Sequence, residues 1–289
     1  GSWDKIGMFD GMLSMSVHVT LLSSDDLLYA GTFNGLTVYD GLSVRTYNYD
    51  HGLPNSFITD VFEDSDGYIW IAFGNEGIVK WKSGKVIKHF KEKDGLASNR
   101  VNVIRQDKDG KIMIGTAKGL SIFNGENFKN YNFTDGIGNG FVTDIEVVSN
   151  NVWIGSGNMM KAGSPQTHGG GLTLFNGKTF KSFDLTQFSG IDPMIMLINC
   201  ITEHNGTLWI GTRGGMLKYD GSKFQIFRDR DGLPANNVNE ILIDENGIWI
   251  CTDGGLVKYK NGGFQVVTTL DEKSDGLSGL YGITSITKS

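Results

Sequence analysis

Apolar residues along this chain come in short bursts rather than in helical stripes. The clearest burst, "TLWIGTRGGMLKYDG" at 207–221, returns as "YIWIAFGNEGIVKW" from residue 68 and "KIMIGTAKGLSIFNG" from 111. It returns again as "NVWIGS" from 151 and "GIWICTDGGLVKYKNG" from 247. Within each copy three consecutive positions are apolar, as in Leu208, Trp209 and Ile210. A strand with one wet face would alternate, so this strand must be covered on both faces. Aligned on Tyr29, Trp70, Met113, Trp153, Trp209 and Trp249, the copies are spaced 41, 43, 40, 56 and 40 residues apart. That is the period of a repeat architecture.

Each repeat predicts four strands. The first follows a "GL" signal, as in "FITDVFED", "VNVIRQD" and "VNEILID". A turn such as "DSDG", "DKDG" or "DENG" leads into the buried second strand, since Asp-Gly and Asn-Gly are strong hairpin signals. The third strand reads "LTVYDG", "LSIFNG" or "MLKYDG", and the fourth is a brief piece such as "FKNY" or "FQIF". No segment has a helical period, so neighbouring sheets must supply the cover. Small four-stranded sheets packed face to face predict an all-β propeller, here a single domain over residues 1–289. The glycine of "WIGT" lets adjacent blades approach closely. First-strand and third-strand patterns each number seven when "IGMFDG" (6–11) and "LYGITSITKS" (280–289) are counted, whereas second strands number six. Seven blades are expected, the last assembled from both chain ends; six blades plus stray terminal strands is the alternative.

Composition sharpens this picture only at a few points. The 289 residues include 41 glycines and 4 prolines, which suits many tight turns and few long elements. The net charge is −6 with 26 scattered Lys and Arg, so no basic stripe exists to bind nucleic acid or an anionic membrane. No apolar run reaches the ~18–20 residues of a membrane span. The opening "GS" before Trp3 reads as a cloning scar, which leaves location unreadable from the ends. Cys200 and Cys251 sit in apolar strand-like runs and read as small buried hydrophobes rather than a redox pair.

At this level "GLPNSFITDVFEDSDGYIWIAFGNEGIVKW" and "GLPANNVNEILIDENGIWICTDGGLVKY" resemble the two-component regulator propeller repeat, over about residues 17–270. The resemblance implies an extracytoplasmic sensing region of a bacterial hybrid histidine kinase, often one that detects polysaccharide-derived oligosaccharides. It implies a periplasmic or extracellular location, and a second copy or a kinase-bearing domain as partner. The sequence has no kinase, no membrane helix, no carboxy-terminal sandwich, and one propeller where many such sensors have two. It is therefore expected to be an excised sensor piece or a free-standing relative. Streptogramin-lyase-like propellers share the general fold, so an enzyme stands as an alternative.

Function can be sought by subtracting the repeat, because a residue recurring at one blade position serves the blade. The acidic turns, Asp94, Asp135, Asp231 and Asp275 before Gly-Leu or Gly-Ile, and Trp70, Trp153, Trp209 and Trp249 are all structural on this test. "DSDGYIW" is too short for a calcium loop. Neither metal-ligand spacing nor a G-x-S-x-G nucleophile signature is present, and no cofactor is expected. "GTRGG" and "HGGG" lack the helix and Lys-Ser/Thr of a phosphate loop. Two irregularities survive: a 12-residue insertion within the loop "GNMMKAGSPQTHGG", and the lengthened connection "DLTQFSGIDPMIM". They bring His168, Asp192, Pro193, Met194 and Met196 towards the mouth face, and His51 ("DHGLP") is expected on the same face. Starts of inner strands add Asn55, Arg100, Asn139 and Asn237; second-to-third-strand loops add Phe33, Asn34, Phe73, Asn75, Lys118 and Arg213. Amides, guanidinium groups and phenyl rings can hydrogen-bond hydroxyls or carboxylates and stack on apolar faces. A small-molecule ligand is expected at this mouth, an oligosaccharide or a small acid, with Arg100 and Arg213 as polar anchors. The expected function is non-catalytic ligand sensing in two-component signalling. The alternatives are a lyase or hydrolase using His168 with a metal, and a protein-interaction scaffold.

Overall fold

The computed structural model describes residues 11–269 except 13, 15, 139, 158–169 and 189–191. It divides into two compact units that meet at the Asn130–Tyr131 bond. The first unit holds three four-stranded antiparallel sheets. Sheet 1 is β1 (Val17–Leu22), β2 (Leu28–Thr32), β3 (Gly35–Tyr39) and β4 (Val44–Tyr47). Sheet 2 is β5 (Ile58–Glu63), β6 (Ile69–Phe73), β7 (Gly77–Lys82) and β8 (Lys85–Phe90). Sheet 3 is β9 (Val101–Gln106), β10 (Ile112–Thr116), β11 (Gly119–Phe123) and β12 (Phe128–Tyr131), the last ending at the unit boundary.

The second unit repeats the plan. Sheet 4 is β13 (Val142–Val148), β14 (Asn151–Ser156), β15 (Gly171–Phe175) and β16 (Phe180–Phe183). Sheet 5 is β17 (Ile198–His204), β18 (Thr207–Thr212), β19 (Gly215–Tyr219) and β20 (Phe224–Phe227). Sheet 6 is β21 (Val238–Asp244), β22 (Gly247–Thr252), β23 (Gly255–Lys260) and β24 (Gly263–Thr269). Within each unit the first strands lie side by side: β1, β5 and β9, then β13, β17 and β21.

These are propeller blades, and they number six. The expected seven is corrected, because every described strand belongs to a sheet of four consecutive strands and six such sheets use them all. Strand β1 opens sheet 1, paired with β2. Segments 6–11 and 280–289, assigned to a seventh blade, lie outside the described residues but for Gly11.

The second strand is buried along its whole length because alternation serves two cores at once. In β6, Ile69, Ile71 and Phe73 join a core with Tyr29 and Leu36 of sheet 1, while Trp70 and Ala72 join one with Val101 and Ile114 of sheet 3. Strand β18 does the same: Leu208 and Ile210 pack towards Leu172 of sheet 4, Trp209 towards Ile241 and Val257 of sheet 6. The phrase glycine has its expected cause. A Cβ on Gly211 would stand 2.4 Å from Cys200 Sγ and 2.8 Å from Val238 Cγ1 of the next sheet. Of the four tryptophans read as core, Trp70 and Trp209 are buried but Trp153 and Trp249 are only half-buried. Alternation turns Trp249 away from sheet 5, and Lys258 Nζ covers its ring at 4.4 Å.

Polar side chains also join the sheets. The buried carboxylate of Asp60 accepts from Ile104 N (2.7 Å) and from Arg105 Nη1 (2.9 Å) of the next inner strand. In the second unit Asp144 accepts from Ile201 N at 2.6 Å. These bonds satisfy polar groups that would be costly to bury unpaired.

Candidate ligand site at the bulged ends of the inner strands

Each inner strand begins with a β-bulge at its second residue, which interrupts the register with the second strand. The bulged residues are His18, Thr59 and Asn102 in the first unit and Thr143, Asn199 and Asn239 in the second. A bulge inserts an extra residue and re-aims side chains beside it. All six are hydrogen-bonding types, and two of them stitch adjacent blades: Thr59 Oγ1 donates to Val101 O (2.8 Å) and Asn199 Nδ2 to Val238 O (2.8 Å).

A second recurring bond fixes the loop beside five of the six bulges, those of sheets 2 to 6. The first residue after the second strand donates its N–H to the carbonyl just ahead of the inner strand. The pairs are Gly74 to Phe57, Ala117 to Arg100, Gly157 to Phe141, Arg213 to Leu197 and Asp253 to Asn237, at 3.0–3.2 Å. A hydroxyl closes the same turn, as Thr212 Oγ1 donates to Gly215 O at 2.7 Å. The backbone scaffold is thus constant while the side chains it presents change from blade to blade. This register places Asn237 at the position of Arg100.

In the first unit the scaffold presents an aromatic cluster. Phe33, 53% exposed, meets the His18 ring edge-on at 4.3 Å and Phe57 at 5.8 Å. His18 Nε2 is buried without a hydrogen-bond partner, and burial lowers the imidazole's pKa, so the ring is neutral at pH 7. Arg100 is half-buried beside sheet 3, with its N–H bonded to Ser98 Oγ at 3.2 Å. Asn55, Asn34 and Asn75 are exposed, and Lys118 Nζ pairs with Glu92 at 3.1 Å. Phe73 is corrected: it ends β6 with its side chain fully buried, so it cannot reach a ligand.

The second unit presents a polar network instead. Asn237 Nδ2 donates to Asp253 Oδ2 (2.8 Å), Asn239 Nδ2 to Asp253 Oδ1 (3.0 Å) and Asn199 Nδ2 to Asn237 Oδ1 (2.9 Å). Amide donors are consumed inside the network, so what it turns outwards is acceptor-rich, led by the exposed Asp253 carboxylate. Arg213 is exposed and, among the described residues, forms no ion pair. Sequence reasoning named Asn237 and Arg213 but not Asn199, Asn239 or His18. The signal was there: a polar residue at the second position of every inner strand.

The lengthened connection before β17 is a packed element. Asp192 caps a 3-10 turn, Pro193–Met196, by accepting from Met194 N (2.9 Å), and Arg228 Nη2 donates to it at 2.8 Å. Ile195 is fully buried, against the spot where a Cβ on Gly214 would come within 2.7 Å of its backbone N. Met194 alone of this turn's described side chains is exposed. His168 and the rest of 158–169, and Asn139, lie outside the described residues. His51 has a turn role rather than a mouth role: its Nδ1 accepts from Asn48 N, the position where Asp94, Asp135 and Asp231 cap equivalent turns. Among the described residues no three His, Cys, Asp or Glu side chains gather as a metal site. Nor is any described helix long and apolar enough to cross a membrane.

Residues 52–75, 95–118 and 232–254 match the two-component regulator propeller family. Histidine kinase P4 of Formosa agariphila is 30% identical over 245 residues, 80% of this chain. The chain spans 17% of that relative's length. The extracellular domain assigned to a hybrid two-component system of B. thetaiotaomicron superposes with a TM-score of 0.73 at 23% identity, over 89% of this chain and 34% of that one. Virginiamycin B lyase of Staphylococcus aureus superposes with a TM-score of 0.67 at 13% identity, over 86% and 83% of the two chains. Both solved structures share the propeller fold.

Proposed function

We propose that this chain, which carries two-component regulator propeller repeats, is the ligand-sensing propeller of a two-component signalling protein. The single observation that carries the proposal is the His18–Phe33–Phe57 cluster. A rigid blade scaffold holds an exposed phenyl ring against a neutral imidazole whose Nε2 has no partner in the protein. An exposed phenyl face among hydrogen-bonding side chains suits a sugar, which offers an apolar ring face and hydroxyls together. The ligand class proposed is an oligosaccharide, with Arg213 and the Asn237–Asp253 network as further polar contacts. The proposed setting is extracytoplasmic, as in the two-component relative from B. thetaiotaomicron, and the signal passes to a kinase-bearing domain or a second copy.

Isothermal titration with a panel of oligosaccharides tests this. Phe33→Ala should weaken binding about tenfold, equivalent to about 1.4 kcal/mol, at an unchanged melting temperature. Arg213→Ala should weaken it as well. Full affinity retained in both variants would remove the mouth from consideration.

A further inference from the structure

A cavity of about 320 Å³ opens between sheets 1 and 2, lined by residues of both sheets and of their turns. Its walls are not mouth residues. Three aromatic rings form one side: Tyr29 and Trp81 meet at 5.9 Å and 87°, Tyr47 and Trp81 at 5.3 Å and 73°. Tyr29 is 4% exposed as a residue and lines the cavity. A phenol hydroxyl at a cavity wall can accept a hydrogen bond from a ligand.

The charges around the cavity favour a cation. Asp25, Asp40 and Glu63 line it with Arg45 and Lys82. The two basic groups are engaged away from its depth. Lys82 Nζ donates to Asp66 O (2.9 Å) and lies over the Tyr68 ring, and Arg45, 68% exposed, reaches Asp40 at 3.4 Å. Asp40 itself is a turn former that accepts from Leu42 N and Ser43 N. Glu63 accepts from Ser24 N and Ser24 Oγ (both 2.7 Å) and Asp25 from Ser23 Oγ (2.6 Å); these neutral donors leave both negative charges uncompensated at the cavity wall. Their field is felt there: burial, then Asp25 and Glu63, push the Tyr29 phenol up to about 12.

We propose that this cavity binds a small organic cation, a protonated primary amine on a short alkyl body. The ammonium donates to the Tyr29 hydroxyl oxygen and to Glu63 and Asp25, and the alkyl body lies on Trp81 and Tyr47. Perpendicular aromatic walls with carboxylates suit a cation because ring faces are electron-rich. The volume, near the small end for ligand pockets, suits a small molecule. The site is independent of the mouth proposed above.

The test titrates the full chain with n-butylammonium chloride, and with butanol and sodium butyrate as neutral and anionic analogues. Saturable 1:1 binding of butylammonium alone is expected. Glu63→Gln should weaken it about tenfold, and Tyr29→Phe several-fold with the ring retained. Arg45→Ala, at an exposed rim position, should strengthen it several-fold, a gain that unfolding cannot mimic. Butanol binding as tightly as butylammonium, no saturable binding of the cation, or an Arg45→Ala variant that binds more weakly would each overturn the proposal.

Discussion

Replacing Trp209 by alanine probes the reason for the repeated phrase. The side chain is 5% exposed and packs in a core with Met216, Phe227, Ile241 and Val257, its ring 5.3 Å from that of Tyr259. Removing everything beyond Cβ returns about 200 Å² of apolar burial. At about 25 cal/mol per Å² that is about 5 kcal/mol, an upper figure because the unfolded chain is itself partly collapsed. Measured losses for emptied large aromatic sites run at about 3–5 kcal/mol. Lys218 Nζ, 5.2 Å from the ring, adds at most about 1 kcal/mol. The expected loss is therefore about 3–5 kcal/mol, read from urea denaturation followed by circular dichroism and by fluorescence, whose midpoints must coincide for the figure to hold. Trp249→Ala is the internal comparison. It occupies the same place in the phrase but is half-buried, and about half the loss is expected. A Trp209→Ala loss below about 1 kcal/mol, or equal losses at the two sites, would refute burial between blades as the cause.

Other outcomes follow from the same geometry. Gly211→Ala should cost about 1–3 kcal/mol by overpacking, whereas Gly263→Ala, with nothing within 4 Å of its added Cβ, should be nearly neutral in the same assay. Cys200 and Cys251 should resist an aromatic disulfide reagent at pH 8 and both react after denaturation, because burial raises both thiols, Cys251 to about 12. Asp220 is held at about 2 against 3.8, by bonds from Ser222 Oγ, Lys223 N and Ser222 N. Its folded pKa is depressed, so its contribution is complete above pH ~3.8 and fades as pH falls through ~2. The stability gap between wild type and Asp220→Ala should accordingly shrink between pH 6 and pH 2.

Much of the fold was legible because a strand buried on both faces cannot alternate, and "LWI" announces that locally. The blade count was misread for a related reason. First and third strands have degenerate patterns that loose terminal segments can imitate, while the second strand must be covered twice and is hard to counterfeit. Counting "WIGT" phrases alone yields six, the number of sheets observed. The mouth was read less well. The bulge at the second residue of each inner strand re-aims that side chain against plain alternation, which is why His18, Asn199 and Asn239 were not named. Phe73 was misplaced because its turn runs to Gly77 rather than closing one residue sooner, as Thr116 does at Gly119. The cavity beside Tyr29 was illegible. Its lining comes from strands and turns of two sheets, and no single window of sequence contains it.

The central claim is that this propeller binds a ligand without transforming it. The direct test incubates the chain with an oligosaccharide panel at saturating concentration, follows binding by calorimetry, and recovers the ligand for mass analysis. Saturable binding with the ligand recovered intact, and binding diminished by Phe33→Ala, is the predicted result. Ligand cleaved or rearranged in proportion to protein and time, or no member of the panel bound, would contradict it.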